Sequence, residues 1–163
     1  MRQQGFSLVE MLVVMAIVGA LIAVATLNFS SMQQKAAIDG QVKMMLADIT
    51  NVRVQALYTK NPRSIKFDGN KLYIYPSDDT SVTPESQINY AYSVTTNFTD
   101  NTITFTTSGL TTTFGGSICI DPAGGLAKEN AGSVDSLVVS RVRANMGKRH
   151  KGAACDTGNI DQQ

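Results

Sequence analysis

Apolar residues dominate the first part of the chain almost without interruption. Between Phe6 and Leu27 there is one charged residue, Glu10, and no proline. A helix of about twenty apolar residues crosses the hydrocarbon core of a bilayer. We therefore predict that residues 6–27 form a transmembrane helix. A carboxylate within such a span costs about 2.5–3.5 kcal/mol on insertion scales, which makes Glu10 a candidate functional residue.

The next segment carries a helical stripe of apolar residues. Their spacings alternate between four and three residues, and charged residues fall mostly off the stripe. This pattern is typical of an amphipathic helix with one side facing a core. The stripe consists of Ile38, Val42, Met45, Ile49, Val52 and Ala56. Asn61-Pro62 ends the pattern, so we predict one long helix over residues 6–60.

Beyond Pro62 the apolar period shortens to two, which is typical of β-strands. Residues 64–67 and 71–75 flank Asp68-Gly69-Asn70, a strong hairpin signal. Further strands are predicted over residues 88–94, 102–106, 116–120 and 136–142. The predicted fold is therefore α+β: a long N-terminal α-helix, membrane-spanning in its first half, packed on an antiparallel β-sheet head.

Composition and charge identify no enzyme. Basic and acidic residues nearly balance, at 14 and 13, and no nucleophile elbow, P-loop or zinc-protease motif is present. The single histidine, His150, lies among basic neighbours and is interpreted as a solvated loop residue. Asp78-Asp79 is interpreted as a solvated loop rather than a calcium site. We predict no catalytic residues, no metal and no cofactor, which also argues against an anchored periplasmic enzyme.

The residues at the start of the apolar run resemble a known processing signal. Gly5-Phe6-Ser7-Leu8-Val9-Glu10 is similar to the G-F-[ST]-L-[IV]-E signal of type IV pilins and type II secretion pseudopilins. The resemblance implies that a prepilin peptidase cleaves between Gly5 and Phe6 and methylates the new N-terminus of Phe6. It divides the chain into a leader (1–5), a helix (6–60, with 6–27 transmembrane) and a β-rich head (61–163). An ordinary signal peptide or plain anchor is the alternative, although a signal peptide carries its small cleavage residues after the apolar run.

The same resemblance implies a location and a set of partners. Arg2 precedes the apolar run, which keeps that end cytoplasmic. A pilin-like protein is a single-pass protein of the bacterial inner membrane, with its head in the periplasm, and later joins a pilus or pseudopilus filament. The implied partners are other pilin or pseudopilin subunits, the prepilin peptidase, the inner-membrane assembly platform and the lipid bilayer.

The resemblance implies a specific role for Glu10. Its carboxylate would pair with the N-terminal ammonium of Phe6 on a neighbouring subunit and so set the axial register of filament assembly. The alternative is that Glu10 snorkels to the cytoplasmic interface, which its nearness to the chain terminus allows.

Cys119 and Cys155 are the only cysteines. In an exported domain two cysteines suggest one disulfide, and two free thiols are the alternative. Because the chain has one histidine, a zinc site built on these cysteines is not expected.

Within the pilin-like proteins, the head resembles the FimT/GspH branch. Residues 48–56 are similar to its D-L-x-x-A-R-x-x-A pattern, 103–109 to its I-x-F-x-x-x-G strand, and 136–143 to its late strand with G-R-V-R. The leading hypothesis is a minor pilin or pseudopilin, a structural subunit that primes, caps or joins a type IV pilus or type II secretion pseudopilus.

The alternative hypothesis is a FimT-like DNA-binding minor pilin that acts in natural transformation. No acidic residue lies between Asp135 and Asp156, and five basic residues do. These five candidates for DNA contact are Arg141, Arg143, Lys148, Arg149 and Lys151. A solvated loop is the competing interpretation, because no aromatic residue is interleaved to stack on bases and Ser140 stands where the branch has glycine.

Overall fold

The computed structural model describes residues 7–112, 115–121 and 133–163, with the backbone alone at residues 24–28 and 30–31. The chain divides into two compact units, Met1–Gln34 and Lys35–Gln163. The division falls inside the long helix, because the second half of that helix contributes its apolar stripe to the core of the second unit.

The long helix, α1, covers Leu8–Thr59. At its start, the Ser7 Oγ accepts a hydrogen bond from the backbone N–H of Glu10 at 3.2 Å, an N-cap contact. At its end, Lys60 adopts the left-handed conformation with φ of 56°, which stops the helix just before Pro62. Both ends lie within two residues of the predicted span.

Within the part of the chain that the structure describes, no helix is both long and apolar enough to cross a membrane.

The strands of the second unit form two antiparallel sheets. The first sheet has the order β3-β2-β1-β5, and the second has the order β4-β6-β7-β8-β9. The first sheet contains β1 (Arg63–Asp68), β2 (Lys71–Tyr75), β3 (Ser86–Asn89) and β5 (Thr102–Phe105). The second contains β4 (Ser93–Thr96), β6 (Gly116–Asp121), β7 (Ser136–Val139), β8 (Ala144–Arg149) and β9 (Ile160–Gln162). Short 3-10 helices cover Thr99–Asn101 and Thr157–Asn159.

The predicted hairpin is confirmed. Asp68 pairs with Lys71 across a two-residue turn, and Gly69 supplies the positive φ of 58° that this turn requires.

The strand predicted over residues 88–94 is wrong as a single element. β3 ends at Asn89 in the first sheet, and β4 begins at Ser93 in the second. Between them the chain crosses from one sheet to the other. The Gln41 side chain on α1 replaces a strand partner there: its Nε2 donates to the Tyr92 carbonyl at 2.9 Å, and its Oε1 accepts from the Tyr92 N–H at 2.8 Å. An alternating apolar pattern does not reveal such a crossing, because both halves of it bury alternate residues in the same core.

The strand predicted over residues 136–142 is shorter than expected and stops at Val139. A turn follows at Ser140–Arg143, closed by the Ser140 N–H donating to the Arg143 carbonyl at 2.8 Å. All four residues of β7 are buried.

The core lies where α1 packs on both sheets. All six stripe residues are at most 1% exposed, so the predicted core face is confirmed. They pack in one apolar cluster with residues of the first sheet, such as Phe67 and Phe105, and of the second, such as Ile118 and Leu137. The observed architecture is the predicted α+β arrangement of a helix on antiparallel sheets.

The disulfide between Cys119 and Cys155 is present, with a Cα–Cα distance of 5.9 Å. Cys119 is fully buried in β6, and Cys155 lies in the segment before β9. The bond therefore attaches the C-terminal segment to the middle of the second sheet.

Candidate functional site

The first unit exposes apolar side chains on every side of α1. Eleven large apolar residues between Leu8 and Ile22 are 47–81% exposed, and several are consecutive, so they cannot all lie on one face. Glu10 lies in the first turn of this segment and is exposed. Gly5 and Phe6, the predicted cleavage and methylation residues, lie outside the described residues.

In the second unit, α1 has an outward face that is also partly apolar. A groove of about 590 Å³ runs beside it, lined by Leu46, Ala47, Thr50, Val54 and other residues of α1, with Met146 of β8 opposite. Val54 is 53% exposed and Tyr58, one turn further, is 90% exposed. The head leaves this outward face of α1 exposed, so the face is available for contact with another molecule.

The five basic candidates do not form one patch. Arg141 and Arg143 lie in the turn before β8, whereas Lys148, Arg149 and Lys151 lie at or beyond the far end of β8. Arg143 and Lys148 are five positions apart along β8, which at about 3.3 Å per residue separates the two groups by roughly 17 Å.

Both interpretations of the basic residues, DNA contact and a solvated loop, require Arg149 to be exposed, and it is not. Arg149 is 8% exposed, and its Nη2 pairs with Oδ1 of Asp121 at 2.9 Å and donates to the Ile120 carbonyl at 3.4 Å. β7 lies between β6 and β8 in the sheet, and the Arg149 side chain reaches across it to Asp121 of β6. It is therefore a buried ion-pair residue of the sheet.

Lys148 is also engaged inside the head. Its Nζ lies 3.4 Å from Oδ2 of Asp135, a carboxylate whose side chain is only 2% exposed. The other oxygen of Asp135 accepts from the Arg149 N–H and the Ser136 hydroxyl, both at 2.8 Å. These contacts satisfy the hydrogen-bonding capacity of the buried carboxylate. Because Lys148 pairs with it, Lys148 is not a surface cation. The exposed members of the basic set are Arg141, Arg143 and Lys151.

His150 is exposed, as its interpretation as a loop residue required, but it has a carboxylate neighbour. Its Nε2 lies 3.1 Å from Oδ1 of Asp161 on β9. Pairing of β8 with β9 brings the two residues together, so the residues next to His150 in the sequence do not reveal this contact. Among the described residues, no group of three or more histidine, cysteine, aspartate or glutamate side chains could hold a metal ion.

The turn that carries Arg141 and Arg143 is held by α1. Nη1 of Arg53 donates to the Val142 carbonyl at 2.6 Å, and its guanidinium carbon lies 5.5 Å from the centroid of the Phe105 ring. Partial burial lowers the pKa of Arg53. Arg53 lies in the predicted helix, but no sequence pattern indicates this contact, which joins residues 89 positions apart.

Residues 1–26 match the family described as the prokaryotic N-terminal methylation motif. No curated protein sequence matches the chain significantly.

Two crystal structures of the type IV minor pilin FimU from Pseudomonas aeruginosa (strain PAO1) are similar to the chain. The form in space group P21 gives a TM-score of 0.54 at 15% identity, covering 67% of this chain and 87% of FimU. The form in space group P65 gives 0.51 at 16% identity, covering 68% and 90%. At this identity the similarity establishes a shared fold.

Proposed function

We propose that this chain, which carries the methylation motif of type IV prepilins and has a pilin fold, is a minor pilin or pseudopilin. In this role it is a structural subunit that primes, caps or joins a filament of the type IV pilus or type II secretion class. It is anchored in the inner membrane before assembly, and its partners are the prepilin peptidase, the assembly platform and other subunits. The role is an interaction role rather than an enzymatic one.

One observation carries the proposal: the helix from Leu8 to Ile22 exposes apolar side chains all round and contains a single carboxylate, Glu10. Such a surface requires lipid or other apolar helices around it. A carboxylate in that environment is unfavourable unless a cation accompanies it. Cleavage after Gly5 would create that cation at the N-terminus of Phe6.

The register role of Glu10 is tested by Glu10→Gln, which keeps the size of the side chain and removes its charge. We expect normal amounts of cleaved protein in the membrane, because the substitution lowers the desolvation penalty. We expect a large drop in the filament fraction, because removing one partner of a pair in low dielectric leaves the other charge unsatisfied, at about 3–5 kcal/mol.

The measurement is cell fractionation beside shearing of filaments from the cell surface. Asp78→Asn, which neutralises an exposed loop carboxylate, is the matched control and should assemble as wild type does. If Glu10→Gln joins filaments normally, Glu10 is an interfacial residue and the register role is wrong.

Processing provides an independent test of the proposal. Mass spectrometry of the assembled protein should show a chain that begins at methylated Phe6. A chain in filaments that still begins at Met1 would refute the assignment to this class.

A second candidate function is DNA binding in natural transformation, with the protein acting as a FimT-like minor pilin. The observation that favours it is the exposure of Arg141 and Arg143 on a turn whose backbone is held in place. Two arginines on one turn suit phosphate, which a guanidinium group can bind in a bidentate manner. The burial of Arg149 and the pairing of Lys148 restrict the candidate contact to this turn, with Lys151 at a distance.

A further inference from the structure

In the turn after β7, the carbonyl groups of Arg141, Val142 and Arg143 all accept hydrogen bonds. The Arg141 carbonyl accepts from the Thr111 N–H at 3.1 Å, and the Arg143 carbonyl accepts from the Ser140 N–H at 2.8 Å. The Val142 carbonyl accepts from Arg53. The Ser140 hydroxyl adds a second contact on each side, to the Arg143 carbonyl and from the Arg143 N–H. The backbone is therefore fixed while residues 141–143 are exposed.

Packing alone does not explain why an arginine occupies position 53. Its Nε and Nη2 are buried and have no hydrogen-bond partner among the described residues. Buried donors without acceptors are unfavourable. An unbranched apolar side chain would cover the Phe105 ring without that penalty. The arginine adds two things: a donor long enough to reach Val142, and a positive charge beneath the turn.

We propose that Arg53 is a positioning residue for phosphate recognition: it holds the turn so that Arg141 and Arg143 meet a nucleic-acid backbone in a preset arrangement. The inference rests on the second candidate function. A preset turn removes the cost of ordering the loop backbone on binding. Planar guanidinium groups match phosphate and carboxylate alike in a bidentate geometry, so nucleic acid is taken here from the second candidate function, and competition with an acidic polypeptide is part of the test.

The test uses the full mature chain in a nonionic detergent and a fluorescent DNA duplex of random sequence, with anisotropy recorded at several salt concentrations. Arg53→Met removes the donor and the charge while keeping an unbranched side chain. We expect its DNA affinity to fall about tenfold, because the turn that carries Arg141 and Arg143 would then have to be ordered on binding. The slope of affinity against salt should stay the same, because Arg53 itself does not touch phosphate.

Three variants provide the comparison. Arg53→Lys retains the charge but lacks the planar fork, and its affinity should fall about threefold, between wild type and Arg53→Met. Val52→Ala weakens the neighbouring core without touching the turn and should bind DNA as wild type does. Arg141→Gln removes a direct contact and should lower the salt slope by about one.

Each outcome has a definite meaning. If wild type and Arg53→Met bind DNA with equal affinity, the positioning role is wrong, while DNA binding itself stands. If Arg53→Met does not fold, wild-type affinity of Arg53→Lys leads to the same conclusion. A reduced salt slope for Arg53→Met overturns it in favour of direct contact. Absence of DNA binding by wild type overturns the second candidate function itself. If polyglutamate displaces DNA at equal charge concentration, the turn is a general anion site and the assignment to nucleic acid is wrong.

Discussion

The hydroxyl of Tyr90 donates a hydrogen bond to Oδ2 of Asp48 at 2.8 Å. Tyr90 lies where the chain leaves the first sheet, and Asp48 lies on α1, so the contact fixes the crossing segment to the helix. Burial raises the pKa of Asp48, and the hydrogen bond from Tyr90 lowers it by less. Burial, the charge of Asp48 and the hydrogen bond to it all raise the pKa of Tyr90, so the phenol remains a donor at physiological pH.

The raised pKa of Asp48 predicts a loss of stability as pH rises. Below about 3.8, the ordinary pKa of this side chain, folded and unfolded chains both carry neutral Asp48. Above it the unfolded chain ionises first, so the free energy of unfolding falls until pH passes the raised folded value. Asp48→Asn keeps an acceptor for Tyr90 and cannot ionise. Urea unfolding of residues 35–163 from pH 3.5 to 7 should show a smaller loss for this variant than for wild type, and identical pH profiles would contradict the pKa assignment.

The disulfide predicts a second stability effect. Cys119 and Cys155 are 36 positions apart, and closing a loop of that length contributes about 4 kcal/mol in the chain-entropy model. Cys119→Ala with Cys155→Ala should lower the free energy of unfolding by about 2–5 kcal/mol. Hydrogen exchange should increase most in the segment that leads to β9, because this bond attaches that segment to β6. Unchanged exchange at Ile160 would show that β9 holds its place without the bond.

Close packing of β9 on β8 predicts that Gly147 does not tolerate a side chain. A Cβ at this position would lie 2.4 Å from Cγ2 of Ile160 and 2.9 Å from the Asp161 carbonyl. Gly147→Ala should therefore lower the free energy of unfolding by about 1–3 kcal/mol. Gly158→Ala, where a Cβ meets no atom within 4 Å, is the matched control. Equal urea midpoints for the two variants would mean that β9 moves aside at little cost.

The unequal burial of the arginines predicts unequal effects on folding. Arg149→Gln removes the partner of Asp121 inside the sheet and should cost about 1–3 kcal/mol. Arg141→Gln changes an exposed turn residue and should stay within about 0.5 kcal/mol of wild type. Thermal unfolding of both variants, followed by circular dichroism, provides the comparison. If Arg149→Gln unfolds at the wild-type temperature, the ion pair with Asp121 contributes nothing to stability.

Much of this protein could be predicted from short-range patterns along the chain. The apolar stripe from Ile38 to Ala56 predicted the core face of α1, because helical periodicity depends only on residues three and four apart. The Asp68-Gly69-Asn70 turn predicted its hairpin because turn geometry is a local property of glycine and its neighbours. The pairing of Cys119 with Cys155 was predicted from two conditions: an exported head, and no other cysteine in the chain.

Tertiary structure alone decided the features that depend on distant partners. Alternation could not show that the chain changes sheets between Asn89 and Ser93, because Gln41, about fifty positions earlier, provides the bonds that make the crossing possible. A run of basic residues in the sequence could not show that Arg149 is buried, because its ion pair forms only when β6 and β8 share a sheet. The contact of Arg53 with Val142 has the same origin: a long side chain finds its partner only after the helix and both sheets have packed, since no sequence pattern encodes a contact across 89 residues.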